Sequence, residues 1–128
     1  MKLDLFLILF FFIVFSSCDR NDSEEINSIQ WNITKVEGPS SGTLNQNITL
    51  KAYYQTASGC DIFDKFEQIN QDRVISIKAY GHTANMICTA QAVERSSIFN
   101  FIPTMTGTYE FKFVNRDHTV ITHSMTIN

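Results

Sequence analysis

The chain of 128 residues has no basic stripe, no CxxC pair, no nucleophile elbow, no phosphate-cradling glycine loop and no paired zinc-protease histidines. Each absence closes a class. Without clustered Lys and Arg there is nothing to neutralise a row of phosphates, so nucleic acid is not an expected partner. Without the hydrolase, nucleotide and zinc motifs there is no positive sign of catalysis, and the expected chain is non-enzymatic, with no cofactor and no bound metal. No long segment with 3.6-residue apolar period exists either, which excludes a helical bundle. The longest apolar block, Leu5 to Phe15, has eleven residues. A spanning helix needs about twenty, so this block fits a secretory h-region rather than a membrane anchor.

The junction behind that block carries the most information. Ser16 and Ser17 lead directly to Cys18. Small residues before a cysteine at the end of an h-region resemble the lipobox of bacterial lipoproteins. That resemblance implies removal of residues 1–17 and acylation of the Cys18 thiol, with diacylglycerol and palmitate-type chains holding the protein on the membrane. An ordinary signal peptide cut elsewhere, or an uncleaved N-terminal anchor, is the alternative. Each buried methylene contributes about 0.8 kcal/mol, so two or three acyl chains anchor firmly where one is marginal.

Behind Cys18, Asp19 to Glu25 holds four acids and one base, a solvated tether over residues 18–27 that cannot bury a core. Acids in this position resemble the export signal of Bacteroidota-type surface lipoproteins, which implies the outer membrane and the cell surface. Asp19 also resembles the inner-membrane retention signal of enteric bacteria, so a periplasmic face stays open. From Ile26 onward eight acidic residues balance eight basic ones. The folded part, residues 28–128, is nearly neutral and of a length that suits one domain.

That domain reads as strands. Ile29, Trp31 and Ile33 alternate with polar neighbours, then Gly38 to Gly42 breaks the chain. Ile48 to Tyr54 alternates again. Asp61 to Asn70 is ambiguous, because Ile62, Phe66 and Ile69 also suit a helical face; it is read as a strand. Ile75, Ile77 and Ala79 form the next, and Gly81 with His82 opens the longest irregular stretch. Ile98 to Ile102, Tyr109 to Phe113 and Thr119 to Ile127 complete seven strands. Seven short strands in about 100 residues resemble an immunoglobulin-like antiparallel β-sandwich. Gly107-Thr108-Tyr109 resembles the tyrosine corner of that fold, while Phe111 stands where antibody-type domains carry a core cysteine. The resemblance implies architecture and no function.

With Cys18 assigned to lipid, Cys60 and Cys88 are an even pair in an exported domain, and a disulfide is the natural reading. Sandwich topology brings their two connections to the same end. The same strand order puts the tether beside Cys60, Cys88 and His118, leaving Gly38 to Gly42, Asn70 to Asp72, Pro103 to Gly107 and the C-terminus at the far end to meet partners. His82, Met86 and Cys88 lie close enough to raise copper, but Thr89, Ala90 and Gln91 after the cysteine break the pattern. His118 belongs to a solvated turn, and His123 shares a face with Ile121 and Met125, as a half-buried, hydrogen-bonded histidine does. Asp61, Asp64 and Glu67 read as solvated carboxylates. The sequons at Asn21, Asn32 and Asn47 say nothing in a bacterial chain.

The function expected from these readings is a lipid-anchored envelope module that binds a protein or glycan, or scaffolds. Two alternatives remain: a protease inhibitor presenting the disulfide-pinned loop Thr83 to Ser97, and an accessory subunit of a surface uptake complex. The sequence does not fix an oligomeric state.

Overall fold

The computed structural model describes residues 27–128; Cys18, Asn21 and the acidic tether up to Ile26 lie outside them. Nine strands and no helix occur among the described residues: β1 (Ile29–Gln30), β2 (Ile33–Glu37), β3 (Ser41–Gly42), β4 (Ile48–Thr56), β5 (Asp61–Gln71), β6 (Val74–Thr83), β7 (Val93–Phe101), β8 (Gly107–Val114) and β9 (Val120–Ile127). They form two sheets in a sandwich-like arrangement. The larger runs β1-β6-β8-β9-β3, with β5 on the other side of β6, and the smaller runs β2-β4-β7.

Alternation explains the layers. Along β4, Ile48, Leu50, Ala52, Tyr54 and Thr56 point inward and are buried, while Thr49, Lys51 and Gln55 face solvent. Ile75, Ile77 and Ala79 of β6, Tyr109, Phe111 and Phe113 of β8, and Met125 and Ile127 of β9 meet them from the larger sheet. Phenylalanines interlock across the gap: Phe99 stands edge-on to Phe113 at 6.1 Å between ring centroids, and Phe101 edge-on to Phe111 at 5.3 Å. Such pairs add to area burial, about 0.5 to 1.5 kcal/mol each.

Five expectations change. The seven strands read from the sequence are nine, because the first is split and Ser41–Gly42, read within the Gly38 to Gly42 break, pairs with β9. The strand read across Ile29 to Ile33 is broken in two, because the chain switches sheets: Ile29 and Gln30 pair with Gly81 and Tyr80, whereas Ile33 pairs with Tyr54. Trp31 sits at the switch, its ring 5.0 Å from Tyr54 and 6.4 Å from Phe63. Gly81 does not begin a loop; β6 continues to Thr83. A Cβ at Gly81 would come within 2.2 Å of the Trp31 ring, so the glycine makes room for the indole rather than for a turn. The strand read from Ile98 starts five residues earlier, at Val93, paired along all of β4. Finally, the sandwich is not wholly antiparallel: β6 runs parallel to β8, and β3 parallel to β9. Between β6 and β8 the chain crosses to the smaller sheet and back through β7, reversing twice, and this makes β6 and β8 co-directional.

The segment from Asp61 is a strand, as read. The helical face suggested by Ile62, Phe66 and Ile69 does not form, since Ile62 and Ile69 are exposed; instead the register with β6 shifts between Phe63 and Lys65, leaving Asp64 as the extra residue of a β-bulge. Phe63 and Phe66, three apart, therefore both pack on the core. Tyr109 makes the expected corner. Its hydroxyl donates to the Met105 carbonyl at 3.1 Å and accepts from the Met105 N–H at 3.3 Å.

Candidate functional site

The two ends of the sandwich are built as the strand order implies. Ser28, the 57–60 and 84–92 connections and the Asn115 to Thr119 turn gather at one end; residues 38–46, 71–73, 102–107 and 126–128 gather at the other. Cys60 and Cys88 are joined at the first end, with Cα atoms 5.6 Å apart. Backbone bonds reinforce the bridge: Gly59 N–H donates to Thr89 O at 3.0 Å and Ala84 N–H to Cys60 O at 3.0 Å. Arg95 of the smaller sheet donates to Asp61 O at 2.9 Å and Gly59 O at 3.3 Å, tying the two layers together.

Asp61 is not the solvated carboxylate the sequence suggests. It is buried and accepts from Thr83 Oγ1 at 2.6 Å, Ala57 N at 2.7 Å, Ser58 N at 3.0 Å and Ser58 Oγ at 3.1 Å. The Thr83 hydroxyl first, and then the Ser58 and Ala57 donors, hold its pKa below the ordinary carboxylate value against the opposing effect of burial. Asp64 also departs from expectation. The bulge turns it toward His82, whose Nδ1 lies 2.6 Å from Asp64 Oδ1, and Ser28 Oγ donates to the other carboxylate oxygen. Serine, aspartate and histidine meet here in the wrong order for nucleophilic catalysis. The carboxylate stands between the other two, so no imidazole nitrogen reaches the hydroxyl. The cluster instead clasps the start of the described chain to β5 and β6.

His82 is thus paired with a carboxylate and Cys88 is joined to Cys60. His118 occupies the β8–β9 turn, exposed, with φ of 67°. His123 is half-buried, with Nε2 2.9 Å from Pro39 O, as read. Glu67 lies on the surface in an ion pair with Lys65 at 2.9 Å.

Two features at the stapled end could meet a ligand. The first is a groove of about 370 Å³ at the β1–β2 switch, lined by Ile29, Gln30, Trp31, Asn32, Thr34, Gln55 and Arg116. An indole, three amides, a hydroxyl and a guanidinium converge there, with no carboxylate among them. The second is the tip of the 84–92 connection, where Met86 is 68% exposed and Ile87 fully exposed at 103%. Sequence reading could not separate these two apolar residues from core ones, since nothing in their spacing marks them as outward. No family model, curated protein or solved structure matches this chain.

Proposed function

We propose that the chain is a lipid-anchored, non-enzymatic module of a bacterial cell envelope, held on the outer membrane through Cys18 and binding a glycan or protein partner. In this reading the domain is an immunoglobulin-like sandwich whose Tyr109 corner follows that pattern and whose parallel β6–β8 pair departs from it. The observation that supports binding is the Trp31 groove. Planar amides and a guanidinium supply donors and acceptors, and the half-buried indole supplies apolar area, the mixture that suits a saccharide-sized polar ligand.

Two measurements test the reading. Cys18→Ala is expected to abolish incorporation of labelled fatty acid and to release the protein from the membrane fraction; label persisting in that variant overturns the anchor. Titration with monosaccharides and cell-envelope glycan fragments is expected to shift the amide resonances of Gln55 and Arg116, and Arg116→Ala should weaken the response. Shifts confined to residues outside the groove would remove it as the site.

The braced 84–92 loop supports a second reading, a protease inhibitor that displays Met86 and Ile87 to an apolar specificity pocket. Limited proteolysis separates the two. An inhibitory loop stays intact at catalytic protease, whereas an idle one is nicked between Asn85 and Gln91.

A further inference from the structure

We propose that Met86 and Ile87 form a lipid-contacting tip that seats the stapled end of the domain on the membrane to which Cys18 is anchored. The inference rests on the anchor reading and adds a surface and an orientation to it. Exposed apolar side chains scattered singly need no explanation, but adjacent ones at the apex of a braced loop do. Met86 and Ile87 are 68% and 103% exposed, and the loop cannot fold them inward. The Cys60–Cys88 bridge, the Gly59–Thr89 bond and the Ala84–Cys60 bond fix it from both sides.

Composition favours lipid over water for this apex. Residues 84–92, Ala-Asn-Met-Ile-Cys-Thr-Ala-Gln-Ala, carry no charge, so the tip itself takes no ion to the headgroup boundary, while Arg116 and Asp117 of the turn at the same end can stay in water. Interfacial contact of this kind depends on apolar area set beside groups that tolerate the polar boundary, which the Asn, Thr and Gln side chains provide.

Position then selects the end. Ile102 and Met105 are also exposed, 57% and 39%, but they lie at the opposite end of the sandwich. The chain enters beside the stapled end, where Ile29 pairs with Gly81 and Ser28 bonds Asp64. Only residues 19–27 separate Cys18 from that point, a reach of about 30 Å when extended. Within so short a tether the local lipid concentration is high, and a tip too weak to bind membrane alone is enough to bias how the domain sits. Gly38 to Gly42 and Pro103 to Gly107 lie at the far end, away from lipid, whereas the Trp31 groove shares the stapled end, so this seating holds a groove-bound partner close to the membrane surface.

The protein carries its own probes. Beyond the leader it has three methionines: Met86 at the tip, Met105 at the far end and Met125 in the core, 1% exposed. Full-length protein matured in a bacterial host, labelled with ¹³C at the methionine methyls, is placed on nanodiscs of phosphatidylethanolamine and phosphatidylglycerol containing a gadolinium-chelating lipid. Relaxation of the Met86 methyl is expected to be enhanced about fivefold over that of Met105, and Ile87→Asp should bring the two within about twofold. Equal enhancement of Met86 and Met105, or a stronger effect at Met105, overturns the proposal. So does a Met86 preference that Ile87→Asp leaves unchanged, because the tether alone would then set the orientation.

Intact mass separates this failure from failure of the anchor. If Cys18 carries no acyl group, the anchor reading falls by itself, and the tip is tested on chain coupled through the Cys18 thiol to a maleimide lipid, with the same criterion. A Met86 methyl indifferent to the nanodisc but broadened by an elastase-type protease assigns the loop to a protein partner and overturns lipid contact.

Discussion

The two ends of the sandwich are closed by different chemistry. At the stapled end side chains are added to the backbone bonds: the Cys60–Cys88 bridge, Arg95 on the Asp61 and Gly59 carbonyls, and Asn115, which accepts from Ile33 N at 2.7 Å and donates to Ile33 O at 3.0 Å. At the far end the closures are mostly backbone: Leu44 N–H to Asn128 O at 3.1 Å, Asn45 N–H to Pro103 O at 2.9 Å, and Asn128 N–H to Gly42 O at 3.1 Å. Single substitutions can therefore open the first end selectively. The far end, stitched largely by main chain, is expected to yield mainly with the whole fold, except where side chains enter it: Tyr109 at Met105, Arg73 at Thr106 O and His123 at Pro39 O.

The largest effect should come from the disulfide. Cys60 and Cys88 are 28 residues apart, and replacing both with serine is expected to cost about 3.5 kcal/mol on the chain-entropy relation. Urea denaturation measures this. Hydrogen exchange should locate the loss at residues 57–60 and 84–92, with the 102–107 amides tracking global stability; equal losses at both ends would erase the contrast.

Asn115→Leu comes next, at about 3 kcal/mol, because leucine would leave the Ile33 N–H and carbonyl without partners and each unsatisfied buried group costs about 1 to 3 kcal/mol. The Asn115 side chain is buried at the β8–β9 turn and also donates to Thr119 Oγ1 at 3.0 Å. Asn115→Asp should recover part of the loss, because a carboxylate can still accept from Ile33 N–H. Equal destabilisation by Leu and Asp, measured in the same urea titrations, would mean that packing, rather than hydrogen bonding, is what matters there.

Much of this contrast is legible in the residues alone. Alternation from Ile48 to Tyr54, the turn residues between strands and the parity of the strand order place Cys60 beside Cys88 and the start of the described chain, Ser28, at the same end. What escapes depends on local geometry. One bulge at Asp64 shifts the parity of β5, so Phe63 and Phe66 both face the core while Ile62 and Ile69, which with Phe66 imitate a helical face, are exposed, and Asp64 looks solvated although it faces His82. Gly81 reads as a breaker because nothing in its neighbours reveals that Trp31, fifty residues earlier, lies against it. The parallel β6–β8 pair depends on which side of the β5–β6 hairpin faces β8, and both strands carry the same pattern. The apex at Met86 and Ile87 is illegible for a simpler reason: exposed and buried methionine or isoleucine have the same sequence signature when no period surrounds them.

Acid should act on the stapled end. The hydrogen bonds from Thr83, Ser58 and Ala57 stabilise the ionised form of Asp61 and depress its folded-state pKa. A depressed carboxylate contributes stability that is fully present above its unfolded value, about 3.9, and is lost as pH falls through the lower folded value. The wild type should therefore lose this contribution below about pH 4. Asp61→Asn should be less stable at pH 7 and show a flatter decline on acidification. Parallel pH profiles for the two proteins would remove Asp61 as the acid-sensitive group.

The smallest effect tests one of the exceptions at the far end. Tyr109 is buried to 1% exposure in the core, and only its hydroxyl engages the 102–107 turn, through the Met105 carbonyl and N–H. Tyr109→Phe keeps the ring against Phe101 and Phe111, with centroids at 5.5 and 6.2 Å, and removes only that clasp. A net hydrogen-bond contribution of about 1 kcal/mol should disappear, lowering Tm by about 5 °C in a domain of this size. Gly107 keeps its φ of 120°, where a Cβ would stand 2.7 Å from Arg73 Nε, and Arg73 Nε still donates to Thr106 O at 2.8 Å. Those contacts should limit the opening to the amides around Met105. Faster exchange there, with the 84–92 amides unchanged relative to global stability, would show that the Tyr109 hydroxyl is a side-chain latch of this end. Faster exchange at both ends instead would mean that Tyr109 acts through the shared core and is no latch of the far end.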